Sequence, residues 1–431
     1  MLSFAKSCNA VKRIIILFFF LVPAFIQGQN TLRKLSINEA VEYGLNNNLE
    51  IKNAREKINS VKGKYWSGIS LPQPELGLTY EYIPNNNGFD KYGEKTFEVR
   101  QSLEFPTNYF LRGNRFNKEE KIAFFELKAK ERSLIKQIKL NYYKAIAAQQ
   151  LLKTAEENLK ISMDFYTKAE LRYNVGEGTN IEKLTAKVQQ SEAKKNLIAA
   201  KNGLSSSYEE LFYSLGLGKN AEQTPLELID TLVFHDHKVS IDSLLKQIDE
   251  SNPEIKIAQL SSEIAGIEKG LAWSSFLPSL SLAYYKQSID GNERFYGASF
   301  GISVPLWFLM EQRGKIQEAN ANNIISDNEL LQKKKEIILR LRAAVLDHEN
   351  NLNQVKFYIE EILPQSKEIY ESARKSYDAG ELEYLEYLQA KQMLINSQSN
   401  YINAIVNHYQ SDFEIEELIG ENITTNLELE K

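Results

Sequence analysis

Four short stretches of the chain alternate apolar and polar residues with period two. Leu76, Leu78, Tyr80 and Tyr82 alternate with Gly77, Thr79 and Glu81, and Phe97, Val99, Gln101, Leu103 and Phe105 alternate with Glu98, Arg100, Ser102 and Glu104. Further on, Leu280, Leu282 and Tyr284 oppose Ser279, Ser281 and Ala283, while Tyr296, Ala298, Phe300, Ile302 and Val304 oppose Gly297, Ser299, Gly301 and Ser303. The pattern predicts strands at about 74–84, 95–105, 278–288 and 295–306, each with one apolar and one polar face. Each is about 10 residues long, the length of a tilted membrane strand. Asn85-Asn86-Asn87-Gly88 and Asp290-Gly291-Asn292 read as the turns between them.

After each strand pair the period changes to that of a long helix. Ile138, Ala145, Leu152, Leu159, Tyr166 and Tyr173 recur every seven residues, and so do Ile338, Val345, Leu352 and Ile359 in the second half. Sustained heptads predict coiled-coil packing, with long helices at about 115–215 and 313–418. From Asn117 to Tyr173 the pattern covers 57 residues, roughly 85 Å as helix. A compact globule has no use for such a helix, whereas a rod or a tube does.

The two halves are copies of one unit. Ser36-Ile37 recurs as Ser240-Ile241, an offset of 204 residues. At the same offset Asn48, Glu50, Ile51 and Lys52 recur as Asn252, Glu254, Ile255 and Lys256, and Pro74, Leu76, Leu78 and Tyr80 as Pro278, Leu280, Leu282 and Tyr284. Tyr173, Gly176, Glu177, Glu182, Leu184, Ala186 and Lys187 recur as Tyr377, Gly380, Glu381, Glu386, Leu388, Ala390 and Lys391. One offset maintained this far marks a tandem duplication. The repeats span 35–218 and 239–420, a polar linker occupies 219–238, and a tail follows at 421–431.

Composition narrows the class. Lys6, Lys12 and Arg13 precede the apolar run Ile14 to Val22, and Pro23, Ala24 and Gly28 follow it, so residues 1–28 read as an export signal. Its removal would take the formal charge from −5 to −8, and no basic patch suggests a nucleic-acid partner. Cys8 is the only cysteine and lies ahead of the apolar core, where it cannot be an acylated lipoprotein cysteine. The mature chain therefore has no disulfide, thiolate metal site or cysteine nucleophile. No later apolar run approaches 18 residues, so membrane entry is left to a β-barrel. Four strands cannot close one. Eight would fill their own interior with side chains, so at least three chains must share the barrel.

The segment Arg172-Tyr173-Asn174-Val175-Gly176-Glu177, continuing to Leu184 and Ala186, resembles the Tyr-x-x-Gly…Leu-x-Ala signature of TolC-like outer membrane factors. Tyr377-Asp378-Ala379-Gly380-Glu381, with Leu388 and Ala390, is similar to its second copy. The resemblance implies an α+β fold: a tandem-duplicated protomer with four transmembrane strands, a third of a 12-stranded trimeric barrel, on long coiled-coil periplasmic helices. It implies a homotrimer in outer-membrane lipid of a Gram-negative bacterium, a periplasmic adaptor protein, and an inner-membrane pump of the RND type. The implied role is a passive efflux conduit with no enzymatic activity and no cofactor. Leu71-Pro72-Gln73-Pro74-Glu75 and Gln101 to Tyr109 look most like the heavy-metal cation exporter branch.

On that resemblance Tyr173, Gly176 and Glu182, with Tyr377, Gly380 and Glu386, are the expected periplasmic tip and gate. Glu182 and Glu386 would ring a narrow opening with carboxylates, or else be solvated helix charges. Tyr173 and Tyr377 would hold the tip closed, or else be ordinary coiled-coil packing. Gly176 and Gly380 suit a helix reversal that needs positive φ and a close approach by an adaptor. Arg172, Lys183, Lys187, Arg374, Lys375 and Lys391 are the cations available to pair with the tip acids. His235-Asp236-His237 reads as a solvated part of the linker, so no metal ligands are assigned. No Gly-x-Ser-x-Gly, His-Glu-x-x-His or Gly-Lys-Ser/Thr motif points to catalysis. Two alternatives stay open: a type I protein secretion duct of the same fold, and a periplasmic coiled-coil adaptor or scaffold.

Overall fold

The computed structural model describes residues 34–85, 91–217, 227–306 and 310–420. The export signal expected at 1–28, the tail at 421–431, residues 219–226 of the linker and Asn86 to Gly88 of the first turn lie outside the described residues. Each repeat opens on local helix-start chemistry. After the two-residue strand β1 (Lys34–Leu35), Ser36 and Glu39 form a capping box that starts α1 (Ile37–Asn47). Asn48 ends α1 and starts α2 (Leu49–Ile69): its Oδ1 accepts the Glu50 N–H at 2.8 Å. In the second repeat Ser240 starts α5 (Ile241–Ser251) without a side-chain cap, and Asn252 again leads into α6 (Pro253–Ser274), its Oδ1 accepting the Glu254 N–H at 2.9 Å.

Strands β2 (Glu75–Glu81), β3 (Glu94–Leu103), β5 (Ser279–Ile289) and β6 (Asn292–Ser303) form one antiparallel sheet in that order. Asp290 (φ 45°) and Gly291 (φ 79°) close the second hairpin in two residues, both left-handed, as a tight hairpin of this twist requires. The register decides which residues share a face. Leu76 pairs with Val99, Val99 with Tyr284, and Leu282 with Phe300. Leu78, Val99, Leu282 and Phe300 therefore lie on one face, and Thr79, Arg100, Ser281 and Ser299 on the other. The polar face is not wholly polar, because the Tyr285 ring lies on it over Gly297, where a Cβ would collide with the phenol.

The long helices follow the strands directly. α3 (Pro106–Asn174) is 69 residues long, roughly 100 Å. It starts well before the 115 expected from the heptads, because Pro106 is suited to the first turn of a helix, where no N–H partner is needed. α4 (Asn180–Leu215) returns beside it. In the second repeat α7 (Glu311–Phe357) passes through a π-helical turn, Tyr358–Ile362, into α8 (Leu363–Asp378), and α9 (Tyr384–Ile419) returns. Pro364 stands just past the π turn, where its missing N–H and its ring disrupt the ladder of the preceding turn. Lys160 occupies the equivalent place in α3, which runs unbroken.

Midway along the helices the repeats dock on one another. Leu35, Ile51, Ile138, Tyr142, Leu211 and Leu215 are buried in the first repeat, and Ile248, Ile255, Leu341, Ile415 and Leu418 in the second. Asn48 Nδ2 donates to the Ser214 carbonyl at 3.2 Å, and Asn252 Nδ2 to the Leu418 carbonyl at 3.0 Å. β4 (Glu227–Leu228) pairs in parallel with β1 and brings the linker back to the start of the first repeat. From Ile229 to Ser240 that linker is a strap without helix or strand. No helix among the described residues is long and apolar enough to cross a membrane.

Candidate functional site

The helix reversals at the far end of the bundle are built alike. Gly176 (φ 85°) and Gly380 (φ 76°) are left-handed. The Glu177 N–H reaches the Arg172 carbonyl at 2.9 Å, and the Glu381 N–H reaches the Ser376 carbonyl, also at 2.9 Å. These are the long closing bonds of a Schellman cap. A Cβ at either glycine would meet nothing within 4 Å, so the fold of one chain requires glycine there for its φ and not for space.

The side chains around the reversals differ sharply. Glu182 starts α4 over the Thr179 cap and is drawn into a junction between the repeats. Its Oε1 accepts the Tyr377 hydroxyl at 3.2 Å and lies 3.4 Å from Arg172 Nη1, which is itself 3.4 Å from the Tyr377 oxygen. The Glu182 side chain is only 14% exposed. Burial first, then the Glu182 carboxylate, pushes the Tyr377 phenol above its ordinary pKa. Glu386, the equivalent acid, is exposed and makes no ion pair or hydrogen bond among the described residues. Tyr173 is exposed with the Lys183 ammonium 3.9 Å from its ring centre, whereas Tyr377 packs on Phe165 and Tyr387.

The second-repeat tip thus carries an aromatic core. Phe165 stacks on Tyr384 at 4.4 Å, and burial pushes the Tyr384 phenol up to about 12. Of the cations expected to pair with the tip acids, only Arg172 engages one of the expected gate carboxylates. Arg374 instead pairs with Glu371 one turn away at 3.2 Å. Lys391 is buried and donates to Ser162 Oγ at 2.9 Å, and burial drives its pKa down to about 8. Its equivalent, Lys187, is exposed.

The reading of His235-Asp236-His237 as a solvated loop needs correction. His235 and Asp236 are exposed, but His237 turns inward and is 4% exposed. It meets His348 from α7 and His408 and Asp412 from α9, all buried. Burial works to raise the Asp412 carboxyl, but its contacts with His237 and His348 outweigh burial and hold it below the ordinary range. Burial alone would lower His237; the Asp412 contact raises it. Sequence reasoning missed His348, His408 and Asp412. The available signal was His408 and Asp412 four apart on one helix face, in a chain with only four histidines.

The family model for outer membrane efflux proteins matches residues 41–217 and again 244–421, one match per repeat. The cobalt-zinc-cadmium resistance protein CzcC of Cupriavidus metallidurans is 19% identical over 404 residues, 93% of each chain. The outer membrane protein TolC of Vibrio cholerae is 22% identical over 376 residues, covering 82% of this chain and 83% of that one. Among solved structures, the outer-membrane channel OprN superposes with a TM-score of 0.77 at 16% identity, over 89% of each chain. Duplicated strands, heptad helices and glycine reversals are thus explained together: the chain belongs to the outer membrane efflux protein family and is the outer-membrane channel component of a tripartite efflux system.

Proposed function

We propose that three copies of this chain form one duct, with a shared β-barrel in the outer membrane and the helices in the periplasm, and that it passes solutes without chemistry of its own. The sheet carries this reading. Leu78, Phe97, Leu282, Tyr284, Phe300 and Ile302 are all exposed on one face, and lipid is the partner suited to such a band. The outer edges of β2 and β6 have no strand partner among the described residues. Edges of this length call for a partner, and a ring of three copies pairs them all and leaves a lumen. Mass measurement of the protein extracted from outer membranes in mild detergent tests this: a trimer is expected, and a stable monomer or dimer would overturn it.

The tip of the duct is the gate in this reading. Arg172, Glu182 and Tyr377 latch the two repeats together, Glu386 supplies free carboxylates, and the bare turns at Gly176 and Gly380 receive a periplasmic adaptor coupled to an RND-type pump. Heavy-metal cations are the proposed cargo. The segments Leu71 to Glu75 and Gln101 to Tyr109, and the similarity to a cobalt-zinc-cadmium resistance protein, support that choice. Loss of the gene should sensitise cells to Co²⁺, Zn²⁺ and Cd²⁺. Sensitisation to organic drugs alone would reassign the cargo.

A further inference from the structure

His237, His348, His408 and Asp412 come from three separate parts of the fold: the strap between the repeats, α7 and α9. Their exposures are 4%, 2%, 0% and 2%. Asp412 sits at the centre. Its Oδ1 lies 2.7 Å from His348 Nδ1 and 3.5 Å from His237 Nε2, and its Oδ2 lies 3.6 Å from His408 Nε2.

The outer side of the cluster determines the tautomers. His237 Nδ1 lies 3.2 Å from the His235 carbonyl, and His348 Nε2 lies 3.1 Å from the His237 carbonyl. A carbonyl only accepts, so each of those nitrogens carries the proton. In the neutral rings His237 Nε2 and His348 Nδ1 are then bare lone pairs, and both face an oxygen of a carboxylate that also only accepts. Lone pair against lone pair in a dry site is unfavourable unless something positive lies between them. Nor is this strain relieved elsewhere: His237 Nε2 and both nitrogens of His408 lack a hydrogen-bond partner among the described residues.

We propose that these four residues form a closed, resident site for one divalent cation of the Zn²⁺, Co²⁺ or Ni²⁺ type, which fastens the strap to α7 and α9. The ligand atoms of His237, His348 and Asp412 already lie within 4.8 Å of one another. Ligands at about 2.0–2.1 Å around a tetrahedral Zn²⁺ are about 3.3 Å apart, so closure needs only small side-chain shifts. His408 Nε2 supplies the fourth position. Three imidazoles and one carboxylate without thiolate favour borderline divalent ions over Cu⁺, and over Mg²⁺ or Ca²⁺. The carbonyls that hold His237 and His348 are the outer acceptors that orient metal-bound imidazoles. With every position filled by protein and no room for a substrate, the ion is structural and separate from the cargo. The proposal holds whatever the duct transports.

The test uses the full-length protein, stripped with chelator in detergent and then given Co²⁺ alone. One ion per chain is expected, with the intense visible bands of four-coordinate Co²⁺, displaced by Zn²⁺ and accompanied by a rise in thermal unfolding temperature. Asp412→Asn and His408→Gln should lose that spectrum with the oligomer retained. His235→Gln with Asp236→Asn, exposed neighbours outside the set, should keep it. Binding well below one ion per chain would mean that a proton alone bridges the cluster, and a weak six-coordinate spectrum would mean an ion held outside a closed four-ligand site; either would overturn the proposal. So would stoichiometric binding that survives Asp412→Asn, or that is lost in the His235/Asp236 variant. The wild-type spectrum and stoichiometry decide the matter even if a ligand variant fails to fold.

Discussion

At the equator Asn48 and Asn252 do the same work in each repeat. Each bridges two helices by capping the second with Oδ1 and donating Nδ2 to a carbonyl near the end of the returning helix, at Ser214 and Leu418. At the tip, residues at the same offset have parted. Glu182 is latched to Tyr377 while Glu386 is free, and Lys187 is exposed while Lys391 is buried. These two asparagine bridges are made within a repeat, so duplication copied them whole. The tip contacts are made between repeats. There Phe165 of α3 packs among Tyr377, Tyr384 and Tyr387 of the second repeat, and only one member of each duplicated pair can occupy the inside. A duplicated chain diverges where its copies meet.

The largest effects should come where the copies agree. Leu78→Arg and Leu282→Arg, on one face of the sheet in successive hairpins, should each cost about 2–4 kcal/mol near the bilayer midplane, and Thr79→Arg far less. Unfolding from detergent or lipid would measure this, and unequal costs at Leu78 and Leu282 would break the equivalence. Asn48→Ala and Asn252→Ala should each cost about 2–3 kcal/mol, because each removes a cap and strands a buried carbonyl. A difference above 1 kcal/mol between them, on the scale of a cap, would show that the equator is less alike than its geometry.

Lys391 tests the tip. Its ammonium is buried with one neutral partner, so Lys391→Met should stabilise the protein by on the order of 2 kcal/mol, whereas Lys187→Met should change it by less than about 0.5 kcal/mol. The pH dependence has a definite sign. The unfolded lysine holds its proton up to its ordinary pKa of 10.5, and the folded one releases it near 8. Between those values the unfolded state binds more protons, so this residue makes stability rise with pH. Below about 8 the penalty is at its full size. Thermal unfolding of wild type and Lys391→Met across that window should converge as pH rises. A constant gap would mean the ammonium is solvated.

The sequence made the strands, their shared faces and the duplication legible because each is a local signal: period two, period seven, or a repeated offset. What escaped it depends on distant pairs. Glu182 and Tyr377 are 195 residues apart, and His237 and His348 are 111 apart, so no spacing rule joins them. Arg374 looked as eligible as Arg172 for the tip acids, because choosing between them needs the crossing of α3 and α8. The glycine turns were legible in the other sense: positive φ is a demand of the local chain, and Gly176 and Gly380 meet it without any partner.

The smallest expected effect is at the latch, and it separates the two tip acids most directly. The Glu182, Arg172 and Tyr377 contacts are 3.2–3.4 Å long and Arg172 is half-exposed, so each is worth about 0–1 kcal/mol. In the three-chain duct proposed above, three such latches would sum to a barrier low enough for a docking adaptor to overcome. Tyr377→Phe with Arg172→Ser should therefore raise single-channel conductance in planar bilayers while leaving the trimer folded. Arg374→Ser, which loses only a pair within its own helix, should not. A double-mutant cycle on Glu182→Gln and Tyr377→Phe should give a coupling of about 0.5–1 kcal/mol, and the same cycle on Glu386→Gln and Tyr173→Phe should give none. Divalent cations added from the periplasmic side should be released by Glu386→Gln more than by Glu182→Gln, because only the free carboxylate is available to bind them. Equal release by the two variants, with no coupling in either cycle, would return both acids to the status of surface charges and place the gate elsewhere on the tip.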